Sequence, residues 1–188
     1  EFSYGCSISS PGHLAINLAT EEKGTQYALE KHRNLVSYYV MSRGTLNGSV
    51  RALPGFSDPL VRYSLSAIEM NNLGRGIQGL ASLLLSAGAK QVFTGLRALP
   101  SVTNSQQLAE LPESLAANAD NIMTVHQMAS CPMGENRRVT AVNSWGRVHG
   151  YTGLYVADVS SFCTSPGINP QGTIMALAKR TSEHFLRI

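Results

Sequence analysis

Apolar and polar positions alternate with a period of two early in the chain and with a helical period further on. Val36-Ser-Tyr-Tyr-Val-Met-Ser-Arg43 is rich in β-branched and aromatic residues, Asn47-Gly48 offers the positive dihedrals of a tight turn, and Ser49-Val-Arg-Ala-Leu53 returns. The pattern predicts a hairpin. Pro54-Gly55 and Asp58-Pro59 punctuate the next connection, and Leu60-Val-Arg-Tyr-Ser-Leu65 alternates as a third strand. A helix follows with both ends marked. Ser66 and Glu69 form a capping box, apolar residues recur at Met70, Leu73, Ile77, Leu80, Ala81 and Leu84, and Gly88 supplies the stop. Val92 to Leu96 reads as another strand, Gln106 to Asn118 as a polar-faced helix broken by Pro112, and Asn121 to Gln127 as an apolar run. The last helix is expected to start at Asn169 or Pro170, because Asn suits the N-cap and Pro the first turn. Its inward stripe would be Ile174, Leu177, Ala178, Thr181 and Phe185. Strands before helices in one block predict an α+β fold, an antiparallel sheet with helices on one face.

Composition narrows the function classes. With 43% apolar residues among 188, the chain can bury a core, and its length suits one domain or a little more. The net charge of +3 comes from Lys and Arg scattered singly, apart from Lys31-His32-Arg33 and Arg137-Arg138, so no basic stripe marks a nucleic-acid groove. The most apolar stretch, Leu80 to Ala87, is far shorter than the roughly 18 residues of a membrane span. Glu1 does not open a signal peptide, since a basic start and apolar core are lacking. Cys6, Cys131 and Cys163 are too few and too scattered for a disulfide framework or a zinc knuckle. Each reads as a reduced, small buried hydrophobe, which fits a cytoplasmic setting.

Gly74-Arg-Gly-Ile-Gln-Gly79 has the spacing of a dinucleotide fingerprint but the wrong context. That fingerprint needs its glycines at a strand-to-helix turn, with an acid about twenty residues on. The capping box puts the helix start some eight residues earlier, and Leu96 to Pro100 offers no acid. Close helix packing accounts for these glycines better.

Four short patterns then follow in order over about fifty residues: His126-Gln-Met-Ala-Ser-Cys-Pro-Met-Gly-Glu135, Arg147-Val-His-Gly150, Leu154-Tyr-Val-Ala-Asp158 and Ser165-Pro-Gly-Ile-Asn-Pro-Gln-Gly-Thr173. Each alone is moderately specific. Together they resemble the C-terminal signature of the glucose-methanol-choline (GMC) oxidoreductases, which use FAD to oxidise alcohols.

The resemblance implies that residues 1–120 form the substrate-binding sheet and helix layer and that 121–145 carry the catalytic histidine. Residues 146–188 would complete an FAD-binding domain that is otherwise absent from this chain. It also implies a partner, the N-terminal FAD-binding portion, as a separate chain or as residues upstream of Glu1. In the family the histidine at the position of His126 is the base that takes the hydroxyl proton, a role suited to an imidazole titrating near neutrality. The second partner falls at Asn169, whose amide both donates to and accepts from a substrate oxygen. Gly-Ile-Asn-Pro resembles the choline and cholesterol oxidase branches, since the glucose oxidase branch has histidine there. Asp158 and the backbone of Val159 resemble the residues near the ribityl and pyrophosphate of FAD, and Pro170 and Gln171 those by the pyrimidine edge of its ring.

Each residue also has an ordinary structural reading. His126 could be a satisfied core histidine, Asp158 a surface cap and Asn169 an N-cap. The signature tips the first two toward function, and Asn169 can serve both ways. The chain departs from the family in Cys131-Pro132-Met133-Gly134, where Arg-Met-Gly usually follows the cysteine. A missing guanidinium alters local packing and leaves the base in place. His149 in Arg-Val-His-Gly reads as a structural turn residue. The expected substrate is a small-molecule alcohol. The alternatives are a hydroxynitrile-lyase-like enzyme that retains flavin without using it for redox, and a non-enzymatic binding or assembly subunit.

Overall fold

The computed structural model describes residues 1–19, 21–44, 48–116 and 122–187. Two units emerge from the way the chain packs: residues 1–43 with 65–123, and 44–64 with 124–188.

The first unit opens with strand β1 (Phe2–Ser7), followed by helices α1 (Pro11–Asn17) and α2 (Gly24–Lys31) and strand β2 (Ser37–Ser42). β1 and β2 pair antiparallel from Phe2 opposite Ser42 to Ser7 opposite Ser37. The long helix α3 (Ala67–Ser86) lies across this ribbon. Its start is the predicted capping box: Ser66 Oγ accepts from Glu69 N at 3.2 Å, and Glu69 Oε2 accepts from Ser66 N at 2.7 Å and from Ser66 Oγ at 2.6 Å. Gly88, at φ 98°, follows its C-terminal end. The remaining elements are β5 (Val92–Phe93), paired with β6 (Ser101–Val102), and the single turn α4 (Ser105–Leu108). Met70 and Ala81 of α3 bury with Leu96, Val102, Leu111 and Leu115, while Leu14, Ala15, Leu18 and Ala28 close a second cluster between α1 and α2.

The glycines of α3 are packing residues. A Cβ on Gly76 would run into Val40, one on Gly79 into the Tyr4 hydroxyl, and one on Gly74 into the backbone at Glu113. Leu115 N donates to Met70 O at 3.1 Å and Gln78 Nε2 to Leu111 O at 2.6 Å, which fastens that backbone to the helix.

The second unit holds the ribbon β3 (Ser49–Arg51) and β4 (Leu60–Arg62) with the whole motif region and helix α5 (Gln171–Phe185). Fully buried Val142 is its pivot, bridging Met133 on one side and Val148 on the other. Gly146, Gly150 and Gly153, all at φ between 74° and 81°, turn the chain between these short contacts.

Several expectations need correcting. The fold is α+β with antiparallel pairing, but the described residues form three separate two-stranded ladders in place of one sheet. The predicted hairpin between 36–43 and 49–53 does not form: β2 pairs with β1, and β3 with β4. Phe2, Tyr4 and Val40 meet the glycine face of α3, so burial against the helix outweighs the local turn signal. Asn47 of that turn lies outside the described residues. The helix expected over 106–118 is one turn capped by Asn104, whose Oδ1 accepts from Gln107 N at 3.0 Å, and Ala117–Asn121 lie outside the described residues. The first third of the chain reads as sheet, but it also holds the helices α1 and α2.

Candidate active site

His126 sits in the irregular segment leading into the motif region, half-buried, with its carbonyl accepting from Met128 N at 3.0 Å. Among the described residues its imidazole makes no hydrogen bond. Three residues on, Ala129 adopts φ 62°, a left-handed conformation costing about 1 kcal/mol for a residue with a Cβ. That bend redirects the chain between the histidine and Cys131. Strain of this kind gathers at functional sites, and nothing in the sequence announced it.

The chain then docks on the Asp158 turn. Cys131 N donates to Ser160 O at 2.9 Å and Met133 N to Ser161 O at 3.0 Å, while Cys163 Sγ donates to Met133 O at 3.1 Å. The turn is a 3-10 segment, Val159–Ser161, capped by Asp158: its Oδ1 accepts from Ser160 N at 2.7 Å. Ser161, 2% exposed, donates its hydroxyl to Asp158 O at 2.8 Å, and Phe162 is buried beside it. Asp158 is thus both an exposed carboxylate and a structural cap, with one oxygen left unpartnered among the described residues.

All three cysteines are free, but they are not the buried hydrophobes expected. Cys6 and Cys163 are exposed and Cys131 half-buried. Cys6 lies on the strand surface and Cys163 at a turn edge, where a small side chain finds little to cover it.

Asn169 is exposed one residue before the N-cap of α5. The cap position belongs to buried Pro170, at φ −83° and ψ 3°, so the predicted Asn cap is displaced by one residue. Proline offers no side-chain acceptor, and the first-turn N–H groups of α5 keep their partial positive charge at the surface. Gln171 is exposed there, and a Cβ on Gly172 would meet nothing within 4 Å.

Further links were not foreseen. Glu135 Oε1 accepts from Ser144 N at 2.9 Å and Ser144 Oγ at 2.6 Å. The serine hydroxyl, then its backbone N–H, and more weakly the charges of His149 and Arg137, hold this carboxyl below its usual range. Arg180 of α5 donates to Ser144 O and lies 4.2 Å from the Trp145 ring centroid, and Trp145 stacks on His184 at 4.3 Å. His149 Nε2 lies 3.0 Å from Gly134 O and 3.1 Å from Thr140 Oγ1, a turn-holding place.

The stripe of α5 is half-buried at Ile174, Leu177 and Ala178 and buried at Thr181. Phe185 stays 53% exposed, edge-on to Tyr155. The structure therefore joins the Cys-Pro-Met-Gly segment to the Asp158 turn, and the 143–147 turn to α5, while His126 and Asn169 share that unit without belonging to those links. Two shallow, open hollows lie elsewhere: one of about 260 Å³ beside Gly48 and Tyr63, one of about 370 Å³ beside Tyr4, Tyr38 and Leu83. No metal-holding cluster of His, Cys, Asp or Glu and no helix long and apolar enough to cross a membrane occurs among the described residues.

The chain is 38% identical over 183 residues to a GMC-type oxidoreductase of Sinorhizobium fredii, covering 97% of this chain and 36% of that protein. It is 28% identical over 131 residues to a long-chain-alcohol oxidase of Arabidopsis thaliana, covering 63% and 18%. To 2-methyl-1,2-propanediol dehydrogenase of Mycolicibacterium austroafricanum it is 31% identical over 105 residues, covering 55% and 17%. It thus spans about a third or less of the length of these relatives. The family model described as GMC oxidoreductase matches residues 41–178, and the chain belongs to that family, corresponding to its C-terminal part.

Proposed function

We propose that this chain carries the substrate-facing part of an FAD-dependent oxidoreductase acting on the CH–OH group of an alcohol, with His126 as proton acceptor and Asn169 as the residue that holds the alcohol oxygen. One observation carries the reading. The bonds from Cys131 and Met133 to the Asp158 turn hold two signature patterns in fixed register within one unit, as a shared site requires. The relatives support it by name, one a long-chain-alcohol oxidase and another a diol dehydrogenase.

The donor set fits FAD. Asp158 keeps a free carboxylate oxygen for hydroxyl donors, Val159 follows it in the turn, and Asn169, Pro170 and Gln171 lie at an uncapped helix start that favours electron-rich groups. When bound, FAD supplies at N5 a hydride acceptor that no side chain provides. His126 removes the hydroxyl proton as the carbon gives up its hydride, and its neutral imidazole is the competent form. Asn169 donates an amide N–H to the oxygen as negative charge builds there and fixes the alcohol's orientation.

The N-terminal FAD-binding portion of the enzyme is the partner, on another chain or upstream. Exposed Val125, Ile168, Met175 and Leu186 in the motif-bearing unit suit such a contact.

The test is anaerobic reduction of flavin by alcohols of graded chain length, with this chain combined with the N-terminal portion. Wild type is expected to bleach the flavin, and His126→Ala to slow bleaching by about 10²- to 10⁴-fold at equal flavin content. Bleaching at full rate by the variant, or none by wild type with any alcohol, overturns the proposal; the second outcome would suit a lyase.

A further inference from the structure

We infer that the β3–β4 ribbon is a docking surface for the N-terminal FAD-binding portion of the enzyme; the inference rests on that portion being the partner, as proposed above. The ribbon is amphipathic, with its apolar face turned to solvent. Val50 stands opposite Val61, Ser49 opposite Arg62 and Arg51 opposite Leu60, and successive residues of a strand point to opposite faces. One face therefore carries Ser49, Arg51, Leu60 and Arg62, and the other Val50, Val61 and, two residues further on, Tyr63. A ribbon with one covered face normally turns its apolar side inward. Here Ser49 and Leu60 of the arginine-bearing face are half-buried, whereas Val50 is 57%, Val61 63% and Tyr63 51% exposed.

The apolar face also has relief. Gly48 faces Tyr63, since a Cβ on it would lie 3.2 Å from the tyrosine Cδ2. With no side chain at 48, the shallow hollow of about 260 Å³ opens there, a seat for one side chain of a partner. Beyond the strands every residue from 52 to 59 is exposed, and Phe56 of the connecting turn is 73% exposed. A two-stranded ribbon is only marginally stable in water by itself, and a body that covers this face supplies the missing burial.

Size decides the occupant. Over residues 48–52 the face is two strands wide and roughly 14 Å long, so even with Phe56 it offers only a few hundred Å². A stable dimer takes about 800 Å² from each partner, so two copies meeting on their ribbons fall short. The chain covers 36% of the Sinorhizobium fredii relative, and the rest of that protein, roughly two thirds of its length, lies outside the match. A body of that size can cover the ribbon together with exposed Val125, Ile168, Met175 and Leu186 of the same unit.

Hydroxyl-radical labelling of the assembled, flavin-loaded enzyme, read peptide by peptide by mass spectrometry, tests the inference. Val50, Val61 and Tyr63 are expected to be labelled at least about tenfold less than in the urea-unfolded enzyme, because the centre of a protein contact excludes water. Labelling at about half the unfolded rate, as exposures of 51–63% give, overturns the inference. Protection confined to species that native mass spectrometry shows to hold two copies of this chain also overturns it, since a second copy would then be the occupant. Val50→Glu/Val61→Glu is expected to weaken assembly with the N-terminal portion by about 100-fold or more, because two carboxylates would be buried without partners, while Arg51→Gln on the other face changes it by no more than about twofold. Wild-type affinity in the first variant, or equal losses in both, overturns the inference. Failure of wild type to assemble with the N-terminal portion removes the proposed partner and this inference with it, whereas assembly with an unprotected ribbon removes this inference alone.

Discussion

The two units of the molecule are held by different forces. Among the described residues thirteen apolar side chains other than proline are buried, and all but Val142 and Phe162 belong to the first unit; Pro170 is buried in the second. The second unit, which bears the whole signature, is knit by directional bonds: Cys131 and Met133 to the Asp158 turn, Glu135 to Ser144, Arg180 to Ser144 O. Burial is roughly proportional to area and tolerates small displacements, whereas a hydrogen bond weakens steeply with angle and distance. The polar unit is therefore the more sensitive to small displacements, and both units leave large apolar side chains exposed, among them Ile8 and Ile68 in the first and Val139 and Leu186 in the second.

The largest break in this contrast is expected from Gly74→Leu. Its side chain would enter backbone at Glu113, and overpacking of this kind costs about 1–3 kcal/mol, at the upper end here because backbone must move. Urea denaturation should show a lower midpoint at near-constant slope. An unchanged midpoint would mean that the close approach of α3 to residues 113–114 is not needed.

A gain is expected in the other unit. Ala129→Gly removes the Cβ penalty of a left-handed residue and should stabilise the fold by up to about 1 kcal/mol, less the extra entropy of unfolded glycine. Thermal melting checks it, and a lower melting temperature would contradict the strained conformation at 129.

The smallest effect concerns Glu135. Its carboxyl is held below the ordinary value of 4.5, so its bonds to Ser144 stabilise the fold fully above that value, and the contribution is lost as pH falls through the lowered folded pKa. Glu135→Gln should flatten the pH dependence of melting below about pH 5, with little change in slope at neutrality. Identical acid limbs in the two proteins would show that the staple contributes no pH-linked stability.

The same contrast explains what could be read from the sequence. Helix α3 was legible at both ends because Ser66, Glu69 and Gly88 act within one turn of where they stand, and its stripe met the core as expected. The β2–β3 hairpin was not, because the partner of β2 is some thirty-five residues away and is chosen by Phe2, Tyr4 and Val40 against the α3 glycines. Short contacts around Val142 carry no periodicity, so the architecture of the second unit was hidden while its chemistry stood in plain order. The candidate site residues came from that ordered signature. Ala129, Ser144 and Arg180 did not, since a left-handed alanine and a serine carbonyl have no compositional mark.

Trp145, in contact with the helix residues Arg180 and His184, is the sole tryptophan of the chain. Its intrinsic fluorescence, excited beyond the tyrosine band, is therefore a built-in optical gauge of the grip between α5 and the 144–146 turn. An indole beside an imidazole and a guanidinium emits differently from one in water, so loosening of that grip is visible without a label.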